Sequence, residues 1–238
     1  MSNGIFITGT DTGVGKTFVA AGMIQAMKKM GINVCPMKPV ETGSPMRRGK
    51  LIPDDTVKLM KASGVNEPID FINPYRLKHP LAPSVAAEIE GVKISGKKII
   101  STYHSLSKKY DITVVEGAGG IMVPVYKKYL FLDLARDMNL PVVIVSRPGL
   151  GTINHTLLTI EAAKNRGLDV SGVIINYSIK TRKGLAEKTN PEVIGNLARV
   201  PVLGIIPFTK HPSTYRLQKE FDGIVRKILS YHNERTNI

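Results

Sequence analysis

The chain has a single cysteine, Cys35, among 238 residues, so no intrachain disulfide can form and no cysteine-rich metal site can be built. Cys35 lies in Val34-Cys35-Pro36-Met37, which reads as a buried strand, so the thiol is a small apolar filler rather than a nucleophile. No apolar run approaches the roughly 20 residues that span a bilayer, and no membrane partner is expected. The start, Met1-Ser2-Asn3, lacks the charged residues and longer apolar stretch of a secretory signal, so a cytoplasmic protein is expected. Acidic residues are few, 19 against 33 lysines and arginines, for a net charge of +14. Such an excess would suit nucleic acid. The basic residues, however, are scattered as pairs (Arg47-Arg48, Lys97-Lys98, Lys108-Lys109, Lys127-Lys128, Arg182-Lys183), with no aromatic RNA-binding signature and no DNA-reading motif. They read as solvated surface that draws in small anions, with no nucleic-acid partner.

A hydrophobic fraction of 42% is enough for a sizeable core. Val- and Ile-rich runs at Gly4–Thr8, Asn33–Met37, Ile112–Val115, Val142–Ser146, Val170–Ile175 and Leu203–Ile206 read as strands buried on both faces. Between them, helical periodicity covers Lys16–Met30, Asp54–Ala62, Pro83–Ile89, Lys97–Lys109, Leu130–Met138, Asn154–Asn165 and Pro191–Ala198, with a last helix near Arg216–Tyr231. This alternation predicts an α/β fold, a mostly parallel sheet with helices on both faces. Without a linker or an internal repeat, residues 1–238 read as one domain. The proline-rich stretch from Asn66 to Pro83 is the longest irregular region, and loops of that length tend to border functional sites.

The first strand leads into Gly9-Thr10-Asp11-Thr12-Gly13-Val14-Gly15-Lys16-Thr17 and then a helix. Strand, glycine-rich loop and helix together are the setting of a phosphate-binding loop. Its backbone N–H groups cradle phosphates, Lys16 reaches the terminal phosphates and the Thr17 hydroxyl binds Mg²⁺. The first glycine stands at position 9, one residue earlier than in the usual spacing. A second motif, Glu116-Gly117-Ala118-Gly119-Gly120, follows the run Ile112–Val115, which puts Glu116 at the carboxyl end of a buried strand, with a role toward the same Mg²⁺.

Those two motifs, Lys38-Pro39-Val40-Glu41-Thr42-Gly43 and Gly151-Thr152-Ile153-Asn154-His155 occur in the order seen in dethiobiotin synthetases. Asn73-Pro74-Tyr75-Arg76, Leu81–Ala87 and Leu203-Gly204-Ile205-Ile206-Pro207 also resemble that family. The resemblance, which runs to about Pro207, implies a P-loop fold and the synthesis of dethiobiotin from 7,8-diaminononanoate, CO₂ and ATP. An amine traps CO₂ as a carbamate, ATP phosphorylates it, and the second amine closes the ureido ring.

By the same resemblance Lys38 and Lys16 are the catalytic cations. Gly13, Val14, Gly15, Lys16, Thr17 and Phe18 bind ATP, as do Asp55, Glu116, Gly117, Ala118 and Gly119. Asn176, Pro207 and Phe208 border the adenine, though Asn176 reads equally as a strand-end turn residue. Thr17, Asp55 and Glu116 hold Mg²⁺. Family spacing favours Asp55 over Asp54, which becomes the cap of the helix that follows. Thr12 and Thr42 hydrogen-bond substrate or carbamate. Gly151, Thr152 and Asn154 bind the substrate carboxylate across a homodimer interface, and Thr152 or Asn154 also suits a plain helix cap.

Two relatives of the fold fit less well. Partitioning-type ATPases carry a second lysine at the position of Asp11. Cobyrinate-type amidotransferases have a further domain with a cysteine nucleophile.

Overall fold

In strand β1 (Gly4–Gly9), Ile5 and Ile7 face one side of the sheet and Phe6 the other, and all three are buried. Residues buried on both sides explain why the strands read as continuous apolar runs rather than alternating ones. The loop after β1 opens α1 (Lys16–Lys29), and β2 (Val34–Met37) follows. Next come the short β3 (Val40–Glu41), β4 (Met46–Arg47) and β5 (Lys50–Leu51), then α2 (Asp54–Ser63), α3 (Ile69–Ile72), β6 (Tyr75–Arg76), α4 (Pro83–Ile89) and α5 (Gly96–Ser107). The remaining elements begin with β7 (Ile112–Gly120), β8 (Pro124–Tyr126), β9 (Tyr129–Leu130), α6 (Phe131–Asp137) and β10 (Val142–Ser146). They end with α7 (Thr152–Asn165), β11 (Val170–Asn176), α8 (Leu185–Ala198), β12 (Val202–Ile206) and α9 (Tyr215–Thr236). This computed structural model describes residues 4–181, 184–209 and 215–236; Met1-Ser2-Asn3 and the pair Arg182-Lys183 lie outside them.

Six strands form one parallel sheet in the order β12-β11-β10-β1-β7-β2. Helices pack on both faces. One core joins Phe6, Val115 and Ile144 to Tyr103 of α5, Phe131 of α6 and Ile160 of α7. The other joins Ile5, Ile7 and Val143 to Met23 of α1, Leu59 of α2 and Phe221 of α9. The chain leaves β1 toward β2 and β7 on one side and later reaches β10 on the other. Such a reversal opens a crevice at the carboxyl end of β1, where the loop sits.

The long helices and all six sheet strands fall where the sequence predicts them, with three informative differences. β7 runs to Gly120, so Glu116 lies inside a strand rather than at its end. α8 starts at Leu185, with Pro191 inside it; its first turn is fixed by Glu187, whose carboxylate accepts from the Gly184 amide at 2.8 Å. The short elements β3 to β6, β8, β9 and α3 have too few residues to show a period, and the region from Asn66 to Pro83 contains two of them.

α1 and α9 meet at Gly22, where an added Cβ would stand 2.2 Å from the Phe221 ring. Gly22→Ala gains about 1 kcal/mol of helix propensity but overpacks the contact at about 1–3 kcal/mol. Its urea midpoint should therefore fall below wild type, and Phe221→Leu in the same chain should restore it. An unchanged or higher midpoint for the single variant would show that the two helices yield at this contact.

Candidate active site

The loop between β1 and α1 is shaped by Gly13 and Gly15, at φ +78° and +89°, in the left-handed region that glycine tolerates. Gly15 is needed twice over, because a Cβ there would lie 2.2 Å from Asn176 Nδ2. Asn176, buried at the end of β11, donates to the Val14 carbonyl at 2.8 Å, which ties the loop to a neighbouring strand. Asn176 Oδ1 is buried without a partner. No side chain caps α1, so its first N–H groups remain available to an anion. Lys16 reaches back along the loop, 3.2 Å from the Asp11 carbonyl.

A second lysine approaches from β2. The Lys38 amide donates to the Ile72 carbonyl at 2.9 Å, and Asn73 Nδ2 donates to the Lys38 carbonyl at 2.7 Å, which fixes the backbone. Its Nζ lies 2.5 Å from Glu116 Oε1, 3.2 Å from the Gly117 carbonyl and 3.9 Å from Asp55 Oδ2. The Thr17 hydroxyl donates to the same Glu116 Oε1 at 2.8 Å. Both partners of the ion pair are buried. Burial works against the Lys38 ammonium, yet Glu116 and Asp55 together hold its pKa above the ordinary lysine value. For Lys16, burial and repulsion from Lys38 outweigh the pull of the same carboxylates and lower its pKa to about 8.

These groups line one cavity of about 670 Å³. The loop contributes Thr12, Gly13, Gly15, Lys16, Thr17 and Phe18. Lys38, Thr42, Asp55, Glu116, Ala118 and Gly119 close it from the neighbouring strands and α2. Most of the site residues named from the sequence are therefore gathered here. Val14 lines a smaller cavity of about 280 Å³ with Arg147 and Tyr177. Gly117 contributes its carbonyl to Lys38, while Pro207 and Phe208 follow β12 and line neither cavity. Gly151, Thr152 and Asn154 stand at the start of α7 and also line neither cavity. The α7 cap is Gly151, without a side-chain bond, so neither Thr152 nor Asn154 caps it.

Asp54 does not cap α2 either. It belongs to the helix and turns outward to Arg47 at 3.2 Å, while Asp55 faces Lys38. Other contributors to the cavity were not singled out as site residues from the sequence. Pro80 to Pro83 and Val123 give it an apolar wall, and Glu41 and Lys58 add charge beside Asp55. The signal for Pro80–Pro83 was the length of the proline-rich region; for Glu41 it was the motif it shares with Lys38 and Thr42.

The donor set suits Mg²⁺. Glu116 Oε2 is buried with no hydrogen-bond partner, and the Thr17 hydroxyl and the Asp55 carboxylate face the same cavity. Among the described residues no three His, Cys, Asp or Glu side chains cluster as a metal cage. Mg²⁺ needs none, since it keeps waters and takes one or two carboxylates together with substrate phosphates.

A family profile described as an AAA domain matches residues 3–214. The ATP-dependent dethiobiotin synthetase of Thermodesulfovibrio yellowstonii is 46% identical over 87% of this chain and 90% of its own. Those of Bacillus velezensis (44%, 90% of each chain) and Methanocaldococcus jannaschii (43%, 85% of this chain and 92% of its own) are similar to it to nearly the same degree. The chain belongs to the dethiobiotin synthetases. Among solved structures, the cell-division protein MinD of Aquifex aeolicus superposes with a TM-score of 0.61 over 96% of this chain and 97% of its own, at 17% identity. MinD of Pyrococcus furiosus gives 0.58 over 97% and 99%, at 18% identity. This likeness is one of fold, a P-loop sheet with helices on both faces.

The Lys38–Glu116 pair of this synthetase family member sets a stability prediction. Lys38→Met leaves a buried carboxylate uncompensated, and breaking such a pair removes about 3–5 kcal/mol. Urea denaturation should show a loss of that size, and Lys38→Met with Glu116→Gln should recover more than half. A single variant as stable as wild type would mean that Glu116 is solvated in solution.

Proposed function

We infer that the protein is an ATP-dependent synthetase of biotin biosynthesis that closes the ureido ring of dethiobiotin from 7,8-diaminononanoate and CO₂. The observation that carries this reading is Lys38, a buried cation opening onto the same cavity as the phosphate loop. One amine of the diamine adds to CO₂ and loses a proton, giving a carbamate. A carbamate oxygen attacks the γ-phosphorus of ATP, ADP leaves, and a carbamic-phosphoric anhydride remains. The second amine then attacks the carbonyl carbon, the bond to the phosphate oxygen breaks, and the ring closes with loss of inorganic phosphate and a proton.

The carbamate and the transferring phosphoryl group are both anionic, so fixed cations stabilise their charge without reorganising. Lys38 favours the carbamate over the free amine, and Lys16 lies against the terminal phosphates. Thr17, Asp55 and Glu116 would hold Mg²⁺, which when bound neutralises charge on the phosphates. Thr12 and Thr42 orient the diamine, whose alkyl chain suits the apolar wall of Pro80–Pro83 and Val123. Gly13, Gly15, Phe18, Gly117, Ala118 and Gly119 enclose the phosphates, and Val14, Asn176, Pro207 and Phe208 serve the base.

Gly151, Thr152 and Asn154 take the substrate carboxylate at the start of α7. They lie outside the large cavity, which agrees with a site completed by a second copy of the chain. Leu150 and Leu158 beside them are 86% and 61% exposed, apolar surface that a homodimer would cover. Both cores share one sheet, so we take residues 1–238 as one domain. No described helix is long and apolar enough to cross a membrane. A cytoplasmic setting suits the buried free thiol of Cys35.

Purified protein given 7,8-diaminononanoate, bicarbonate and Mg-ATP should yield dethiobiotin, identified by mass. Lys38→Arg keeps a charge beside Glu116 but replaces a compact ammonium with a planar fork. It should lower ring formation by about 10²–10³-fold and leave Mg-ATP affinity, measured by calorimetry, close to wild type. The absence of product from the wild-type protein would overturn the reaction. A Lys38→Arg variant that traps carbamate normally from labelled CO₂ but binds ATP poorly would move Lys38 to the nucleotide site.

A further inference from the structure

Glu41 is a buried carboxylate whose two oxygens are both committed to one place. Its Oε1 accepts from the Asp55 amide at 2.9 Å, and its Oε2 accepts from the Thr56 amide at 2.9 Å and the Thr56 hydroxyl at 2.7 Å. These donors belong to the first turn of α2, whose preceding residue, Pro53, offers no side-chain cap. A carboxylate from a different strand thus satisfies the orphan N–H groups of the helix and faces the positive end of its dipole.

The placement matters because of what each end carries. Glu41 lies on β3, between Lys38 and Thr42, and β3 is itself fixed by pairing with β6. The turn it grips carries Asp55, whose carboxylate approaches Lys38 and shares the cavity with Thr17 and Glu116. Both oxygens of Glu41 already accept from α2. Its hydrogen bonds fix where the Asp55 backbone stands relative to Lys38.

We propose that Glu41 is a positioning residue that sets the Asp55 carboxylate for Mg²⁺ by holding the first turn of α2 against the strand that follows Lys38. The proposal rests on the reading of Asp55 as a metal-site carboxylate. Outer partners that orient a ligand commonly change metal affinity about 10–100-fold when removed. Glu41→Gln keeps the shape but turns an amide N–H₂ toward an N–H or hydroxyl donor, which breaks part of the grip.

The test is calorimetric titration of a non-hydrolysable ATP analogue at graded Mg²⁺ concentrations, with Glu41→Gln, Asp55→Asn and the double variant beside wild type. Glu41→Gln should raise the half-saturating Mg²⁺ concentration about tenfold. Asp55→Asn should raise it by at least as much, and the double variant no further than Asp55→Asn alone, since the two act through one group. Amide exchange at Asp55 and Thr56 should quicken in Glu41→Gln.

If Glu41→Gln does not fold, Thr56→Val removes only the hydroxyl bond and should give a smaller shift in the same direction. A Glu41 variant that loses thermal stability but keeps wild-type Mg²⁺ dependence, beside a shifted Asp55→Asn, overturns the proposal and leaves the metal reading standing. Additive shifts in the double variant overturn it as well. An Asp55→Asn variant with unchanged Mg²⁺ dependence overturns both the proposal and the metal assignment of Asp55. In every case, formation of dethiobiotin by the wild-type protein tests the reaction separately.

Discussion

The buried pair of Lys38 and Glu116 is the constraint around which the site is assembled. A lone ammonium or carboxylate so deep in the fold would lose its hydration without compensation. Each instead finds a partner in the other, at 2.5 Å, and in further groups that come from separate elements. Thr17 of α1 joins at Glu116, Asp55 of α2 approaches Lys38, and the Gly117 carbonyl of β7 accepts from the same ammonium. The first turns of two helices, the end of β2 and the middle of β7 are thereby held to one point. Groups that must act together on a small anionic substrate are already at fixed separations in the free protein, which is what preorganisation requires.

Most of the fold could be read in advance because its signals are long. Each sheet strand is an apolar run, and most of the larger helices showed their period over ten residues or more. What could not be read was local or tertiary. Pro191 reads as a helix start, since proline suits a first turn, yet Glu187, four residues earlier, has already begun the helix by accepting from the Gly184 amide. Glu116 looked like the end of a strand because glycines follow it, but those glycines continue pairing beside β1, where Gly120 lies opposite Gly9.

The site was legible in a similar way. Lys16, Thr17 and Glu116 belong to short contiguous motifs whose chemistry shows in their residue types. The role of Asp55 rested on family spacing, and the geometry separates it from Asp54 by direction alone. Glu41 could not be understood from sequence, because its partners lie 14 and 15 residues away and are mainly backbone amides, which no residue identity reveals. The two helix starts at the cavity are treated in opposite ways as a result. α1 is left without a side-chain cap, open to an external anion, while α2 is closed by an internal one.

Phe18, which lines the cavity, stacks edge-on against Phe221 at a centroid distance of 6.0 Å, and the missing side chain of Gly22 admits the same ring. Phe221 belongs to α9, a helix that begins after the segment matched by the AAA profile and, among the described residues, supplies none to the cavity. α9 is therefore a buttress for the part of the cavity wall that Phe18 forms. A chain shortened before Tyr215 would keep every described residue that lines the cavity and lose the backing that holds Phe18 in place. The shape of the cavity thus depends on a helix that no binding motif would identify.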